Sequence, residues 1–181
     1  MQTFLKFSRT IDALTDKLGH ASTICVMLTI AVGFYNVIAR YLGRFFEIKL
    51  TSNLFIELQW YLFSLTFLLG FSYVLKHGLN VRVDFLYANW SPKTKAWVDL
   101  IGHTFFLTAF CIIGLYVTTH PVLQSWGLLP DGSFGSWELS PDPDGLPRAP
   151  IKSMMLVAFG MLFLQTISEI IKNIAIIKGE A

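Results

Sequence analysis

A run of 22 residues from Leu54 to Leu75 constrains this chain more than any other feature, because it is almost entirely apolar. At about 1.5 Å per residue, a helix of this length covers roughly 30 Å, the thickness of the hydrocarbon core of a membrane. Three further apolar stretches, at about residues 21–42, 97–119 and 154–177, are similarly long. The sequence therefore predicts an all-α integral membrane protein with four transmembrane helices, forming a single membrane domain over residues 1–181.

The composition agrees with a membrane location. Of the 181 residues 54% are hydrophobic and only 14% are charged, which departs from the average of soluble domains. A net charge of +2 without a basic tract gives no reason to expect nucleic acid as a partner. Cys25 and Cys111 lie inside apolar runs and form no CxxC pattern, so neither a disulfide framework nor a thiol redox site is predicted.

Two shorter helices are predicted outside the spans. In residues 1–20, apolar side chains recur at steps of three and four, at Phe4, Phe7, Ile11, Leu14 and Leu18. This pattern predicts an amphipathic helix that lies at the membrane surface and leads into a retained first span. Between the second and third spans, the pattern of Val83, Leu86, Tyr87 and Trp90 predicts a short helix in the membrane interface.

The third span has clear limits in the sequence. Ser91 and Pro92 are a helix N-cap and first helical residue, and Pro121 is expected to end the helix. The loop that follows, residues 121–150, holds six of the seven prolines. It is also acidic, with Asp131, Glu138, Asp142 and Asp144. A loop of this length is usually functional or disordered.

The basic residues predict the orientation. With the N-terminus inside, the inner segments hold nine Lys and Arg residues, and the outer segments hold five, namely Arg40, Arg44, Lys49, Arg148 and Lys152. Cytoplasmic segments of membrane proteins carry the excess of such residues. Both termini are therefore predicted to be cytoplasmic, with the Pro-rich loop outside.

Ionisable residues in the spans are few, and they lie near the span ends. Glu57 is about one turn into the second span, where Arg40 at the outer end of the first span is a possible ion-pair partner; a proton or substrate role for Glu57 is the alternative. Glu169 and Lys172, beside Gln165 in the fourth span, are expected to pair at i, i+3. The span centres offer no acid or base, so this chain alone lacks the usual groups of an ion pathway.

Nothing in the sequence indicates an enzyme, since no phosphate-binding glycine loop, nucleophile elbow, HExxH or paired catalytic carboxylate occurs. No catalytic residue, cofactor site or metal site is predicted. A four-helix cytochrome would need two histidines at equal depth on facing helices, and of the four histidines only His103 lies well within a span.

Several motifs, in this order and spacing, make the chain similar to a known family. They are Glu57–Trp60 with Gln59 at its centre, His77–Tyr87, Ser91–Lys93, Val98–Gly102, Ser136–Ser140, Gly145–Lys152, Leu164–Gln165 and Ser168–Glu169. Together they resemble the small membrane subunit, DctQ-like, of tripartite ATP-independent periplasmic (TRAP) transporters, in a branch with a longer outer loop.

The resemblance implies a bacterial inner-membrane system of three components. A periplasmic binding protein captures an organic acid, and a large membrane subunit carries it across by a sodium-coupled elevator movement. The small subunit pairs with the large one as a scaffold and holds no substrate site. Membrane lipid is its other partner.

The resemblance also suggests roles for individual residues. Glu57, Arg82 and Asp84 would fix the second span and the interfacial helix within the subunit or against the large partner. The other candidates for structural or partner contacts are Arg40, Gln59, Trp60, Gln165 and Glu169. The acids Asp131, Glu138, Asp142 and Asp144 would dock the binding protein, unless the loop is simply a folded cap over the helix ends.

Two other functions stay open at this point. One is a stand-alone proton-coupled exporter that uses Glu57 in a homodimer. The other is a four-helix membrane cytochrome.

Overall fold

The computed structural model describes residues 2–80 and 87–180. The described residues form helices and connecting loops, with no β-strand, and this confirms the predicted all-α class. The helices are α1 (Gln2–Phe45), α2 (Asn53–Lys76), α3 (Pro92–Ile101), a π-helical segment (Gly102–Leu107), α4 (Thr108–Ser125) and α5 (Arg148–Lys178).

The four predicted membrane spans are confirmed. Among the described residues, α1, α2, the continuous helical stretch Pro92–Ser125 and α5 are long and apolar enough to cross a membrane. The loop between α4 and α5 has one isolated β-bridge, which joins Leu128 and Phe134.

The start of the third span agrees with the prediction, but its end does not. The side chain of Ser91 accepts a hydrogen bond from the Thr94 amide at 3.2 Å, and Pro92 opens α3. Pro121 was expected to end the helix, yet α4 continues through it to Ser125. A proline removes one backbone donor, and the turn after it keeps its own bonds, including Trp126 N–H to the Val122 carbonyl at 3.1 Å.

The chain divides into two compact units, each made from several chain segments. The first unit comprises Met1–Gly19, Gly70–Val117 and Val157–Ala181, and the second comprises His20–Leu69 and Thr118–Leu156. In the first unit the core contains Leu75, Cys111 and Leu162, with Phe71, Leu107 and Phe163 packed against them. Beside this core, α4 and α5 lie close together, because Gly114 in α4 faces the ring of Phe159 in α5.

The N-terminal part of α1 has one exposed and one buried side. Phe4, Phe7 and Leu14, from the apolar stripe, are 62%, 51% and 45% exposed. Ile11, from the same stripe, is 5% exposed and is buried with Ser8 and Thr15. The buried side contacts α5, because its hydroxyl groups find hydrogen-bond partners there. In the first unit, this part of the helix is therefore held to α5 by polar contacts, and it continues into the first span as predicted.

In the second unit, α1 and α2 are joined by close contacts. Ser22 Oγ donates to the Thr66 carbonyl at 2.8 Å, and the rings of Tyr35 and Phe55 have centroids 5.0 Å apart. A Cβ at Gly33 would stand 2.8 Å from Gln59 Nε2, so the glycine provides the space that the Gln59 side chain occupies.

The interfacial helix predicted between the second and third spans falls mostly outside the described residues. Val83 and Leu86 lie there, as do Arg82 and Asp84. Of the rest, Trp90 N–H donates to the Tyr87 carbonyl at 3.2 Å, and the rings of Tyr87 and Trp90 lie 5.9 Å apart.

The packing of Gly114 gives a stability prediction. Gly114→Ala places a methyl group against the Phe159 ring, and we expect the overpacking to lower the free energy of unfolding by about 1–3 kcal/mol. The measurement is unfolding of the purified protein in mixed micelles, followed by circular dichroism. Gly160→Ala is the matched control, because no atom lies within 4 Å of its Cβ position. Equal stability of Gly114→Ala and the wild type would contradict the packing described.

Candidate functional site

The second unit contains a cluster of hydrogen bonds around Glu57, near the start of α2. The Glu57 side chain is 3% exposed, and its carboxylate accepts hydrogen bonds from the Ser140 hydroxyl and the Leu146 amide. Both donors belong to the Pro-rich loop. A buried carboxylate needs such donors, because without them it would stay desolvated and unpaired. We call Glu57, Ser140 and Leu146 the Glu57 cluster.

Other bonds from α2 to the same loop surround the Glu57 cluster. The Tyr61 hydroxyl donates to the Pro147 carbonyl, and the Asn53 amide donates to the Pro143 carbonyl at 3.3 Å. Gly145 is required by space, since a Cβ there would collide with Ser140 and stand 2.9 Å from Glu57 Oε1. The loop is therefore folded back onto the start of α2, as expected if it is a folded cap over the helix ends.

Glu138 ties the loop to α4 and α5. Its carboxylate accepts from the Lys152 ammonium and the Ser125 hydroxyl, and these two bonds lower the pKa of the Glu138 carboxyl. Its backbone N–H donates to the Ser125 carbonyl at 2.7 Å, and its carbonyl accepts from Arg148 N–H at 2.9 Å. Glu138 is thus committed to contacts within the chain.

The three other loop acids are exposed to solvent. Asp131 accepts from the amide and the hydroxyl of Ser133 at 3.0 and 2.7 Å, which lowers the pKa of its carboxyl. Asp142 and Asp144 lie in the turn that precedes Gly145. Of the four acids predicted to dock the binding protein, Glu138 is therefore bonded within the chain, and the other three are exposed.

Aromatic side chains lie beside these ties. The Arg148 guanidinium stands over the Trp60 ring, 5.7 Å from its centroid. Trp126 Nε1 donates to Ser153 Oγ at 2.7 Å, and its ring lies 5.7 Å from that of Trp137. Tryptophan in such positions is typical of a membrane–water interface.

The first unit contains a second polar cluster, centred on Gln165 in α5. The Gln165 side chain is fully buried, accepts from the Thr15 hydroxyl at 2.7 Å, and donates to Asp12 and Glu169 at 2.9 Å each. Lys172 Nζ lies 3.0 Å from Asp12 Oδ2 and 2.6 Å from Glu169 Oε1. We call Asp12, Gln165, Glu169 and Lys172 the Asp12 cluster.

This geometry confirms the predicted i, i+3 pair of Glu169 and Lys172 and extends it to α1. Ser168 strengthens the same junction, because its hydroxyl donates to Asp12 Oδ1 at 2.9 Å and lies 2.7 Å from the Ser8 hydroxyl. One lysine thus bridges two carboxylates that come from two helices.

A neighbouring pair fixes the end of α2 in the same unit. Lys76 Nζ lies 2.5 Å from Asp16 Oδ2 and donates to the Asp12 carbonyl at 3.1 Å. His77 Nε2 lies 3.3 Å from Asp16 Oδ1, with its ring 4.2 Å from that of Tyr73. Three segments of the first unit are therefore joined through side chains of α1.

The structure does not bring all of the predicted site residues together. Glu57 bonds to the loop instead of to Arg40, whose side chain is exposed. Gln59 packs at Gly33, and Arg82 and Asp84 lie outside the described residues.

Sequence reasoning missed Asp12 and Asp16, together with the stripe of Ser8, Asp12 and Thr15. The four- and three-residue spacing of these polar side chains is a signal of a helix contact that could have been found.

The hydrogen bonds and ion pairs of both clusters attach helices to one another or to the loop. Each of the five carboxylates in the described helices accepts a hydrogen bond or ion pair from this chain: Asp12, Asp16, Glu57, Asp99 and Glu169. Residues 2–80 and 87–180 contain no group of three His, Cys, Asp or Glu side chains placed to hold a metal ion.

Removing the carboxylate of the Glu57 cluster tests its role. Glu57→Ala leaves the Ser140 hydroxyl and the Leu146 amide without their acceptor, so we expect a loss of about 1.5–3 kcal/mol in the free energy of unfolding. The loop should also become more sensitive to protease. Thermal unfolding and limited proteolysis of the purified protein measure both effects. Asp142→Ala, an exposed acid of the same loop, is the control; an unchanged protease pattern in Glu57→Ala would contradict the assignment.

The Asp12 cluster gives a second test. Lys172→Met leaves two carboxylates close together without their cation, and we expect a loss of about 1.5–3 kcal/mol in the free energy of unfolding. Adding Glu169→Gln should recover part of the loss, because it removes one of the two negative charges. The exposed residue Lys178 provides the control Lys178→Met. If the double variant were less stable than Lys172→Met, charge repulsion would not be the cause.

The chain was compared with known protein families, curated proteins and solved structures. Residues 29–175 match the family of tripartite ATP-independent periplasmic transporters, DctQ component. No curated protein and no solved structure matches. Since the family match covers more than half of the chain, this protein belongs to the DctQ component family and is a small membrane subunit of a TRAP transporter.

Proposed function

We propose that this subunit is a static scaffold of a sodium-coupled TRAP transporter for organic acid uptake. In this proposal the chain is a single membrane domain that pairs with the large elevator-type membrane subunit. A periplasmic substrate-binding protein delivers the substrate to the assembled transporter. This subunit catalyses no reaction and holds neither substrate nor coupling ion.

The observation that best supports a scaffold is that its carboxylates have hydrogen-bond or ion-pair partners within the chain. A group that carries protons or binds an ion must be able to exchange its partners during transport. All five carboxylates of the described helices instead have partners within the chain, and Glu57 is buried under the loop. These contacts favour a rigid support over a transport pathway.

The same contacts weigh against the proton-coupled exporter. Its proposed site, Glu57, is 3% exposed and accepts from two donors of the loop, so protonation would remove an acceptor on which the loop depends. The cytochrome has no specific support either, since it needs two histidines at equal depth and only His103 lies well within a span.

We further propose distinct roles for the candidate residues. Glu57, Gln59, Gln165 and Glu169 hold the subunit together and Trp60 packs beside Arg148, whereas the exposed Arg40 belongs to a surface for the large subunit. Arg82 and Asp84 would attach the interfacial helix. The exposed acids Asp131, Asp142 and Asp144 are the candidates for contact with the binding protein, and Glu138 has an internal role.

The orientation is part of the proposal. The excess of nine Lys and Arg residues against five places both termini in the cytoplasm of a bacterial inner membrane, with the α4–α5 loop in the periplasm. The exposed acids of that loop would then lie on the side where a soluble binding protein arrives.

Reconstitution tests the scaffold directly. We expect proteoliposomes with this chain alone to show no uptake of organic acid. Addition of the large subunit and the binding protein should restore uptake that depends on a sodium gradient. Copurification of the large subunit with tagged wild-type chain measures assembly in the same preparation.

Two variants separate the scaffold from its alternatives. Arg40→Ala should weaken copurification, while Asp142→Ala, in the loop, should leave copurification intact. Flux through liposomes that contain this chain alone, abolished by Glu57→Gln, would instead establish the exporter.

A further inference from the structure

A groove in the second unit has no role in the function proposed above. It lies between α2 and the first two turns of α5 and has a volume of about 330 Å³. The lining residues recur at steps of three and four along α2 and α5, so that one face of each helix forms one wall. The lining residues are Trp60, Phe63, Ser64, Phe67, Leu68, Arg148, Ile151, Lys152 and Met155.

The groove is polar at one end and apolar along the rest. Arg148 and Lys152 occupy the first turn or so of α5, next to the loop, and Met155 lies one turn further along. The eight residues from Arg148 to Met155 span seven helical steps, or about 10 Å along the helix axis. Arg148 and Lys152 therefore lie at one end of an apolar channel that is about two-thirds as long as the hydrocarbon of one leaflet is deep.

Arg148 lacks a hydrogen-bond acceptor inside the groove. Its Nε is buried and finds no partner among the residues that the structure describes. The guanidinium is held in place over the Trp60 ring at 5.7 Å. The Nε itself is covered by protein atoms, so a ligand would be bound by the terminal amino groups of the guanidinium, whose geometry matches the oxygens of a phosphate or carboxylate.

The level of Arg148 fits a lipid headgroup. Arg148 is the first residue of α5, and its N–H is bonded to the loop carbonyl of Glu138 at 2.9 Å, so it stands where the helix leaves the loop. Basic side chains near the ends of spanning helices extend to the headgroup region. Phe63 and Phe67, lower in the groove, are 65% and 61% exposed and leave it open from the side.

We infer that this groove is a phospholipid-binding site, in which Arg148 binds the phosphate and an acyl chain lies along Phe63, Phe67 and Met155. A cation at one end and an apolar lining along the rest match the phosphate and the acyl chain of a lipid. Lys152 is bound to Glu138, which cancels its charge, so Arg148 is the cation that remains for the phosphate.

Native mass spectrometry of the purified full chain tests this site. The protein in detergent is titrated with phosphatidylglycerol, and with a diacylglycerol that has the same chains but no phosphate. We expect one tightly retained phospholipid, and about tenfold weaker retention of the diacylglycerol, which corresponds to one charge-assisted hydrogen bond. Equal retention of the two lipids would overturn the assignment of the phosphate to Arg148.

Two variants act on opposite ends of the groove. Arg148→Gln should weaken phospholipid retention about tenfold without affecting the diacylglycerol, because only the phosphate loses its partner. Ser64→Phe fills the apolar channel and should weaken both lipids. Arg44→Gln, an exposed cation outside the groove, is the control and should bind as the wild type does.

Folding and assembly are measured on the same samples. Circular dichroism and gel filtration identify a variant that has lost its fold, and if Arg148→Gln fails there, Ser64→Phe decides the question. Wild-type lipid retention in folded Ser64→Phe would overturn the proposal. So would loss of the large subunit from Ser64→Phe with lipid retention unchanged, since the groove would then hold protein.

Discussion

The burial of the Glu57 carboxylate is the constraint on which the second unit depends. A carboxylate that is 3% exposed at the start of an apolar helix must be supplied with donors by the protein itself. The donors come from Ser140 and from the backbone of Leu146, so the loop has to fold back onto α2. That return in turn brings Tyr61 to the Pro147 carbonyl and Arg148 to the Trp60 ring. A single polar group in an apolar helix thus determines the course of a long proline-rich loop.

The first unit also supplies partners within the chain for its buried polar side chains, but with different residues. Asp12 and Glu169 come from different helices and share Lys172, and the buried Gln165 joins them through its amide. In water such exposed pairs contribute little, but with low exposure and several hydrogen bonds they hold specific helix faces together. Phe4, Phe7 and Leu14 of α1 are left on the outside, as expected for a protein whose surroundings are apolar. Lipid or a partner subunit can cover it.

Both clusters fit a subunit whose task is to stay rigid while another protein moves. Their carboxylates have hydrogen-bond or ion-pair partners within the chain, and these contacts join elements that are far apart in the sequence. The apolar groove below Arg148 has a different character, because its buried Nε has no acceptor among the described residues. A buried polar atom without a partner calls for an explanation, and the phospholipid proposed above is one for Arg148.

The sequence by itself determined the four spans, the Ser91 cap and the local pair of Glu169 with Lys172. Each of these depends on residues that are close in sequence, or on the length of an apolar run. Only the tertiary structure decided which stripe of α1 is buried and that Glu57 bonds to the loop and not to Arg40. The Glu57–Ser140 and Asp12–Ser168 contacts join residues 83 and 156 positions apart, so helical periodicity contains no information about them. The prediction that Pro121 ends the third span was also wrong. The loss of one backbone donor at proline costs less than the loss of the bonds that continue the helix to Ser125.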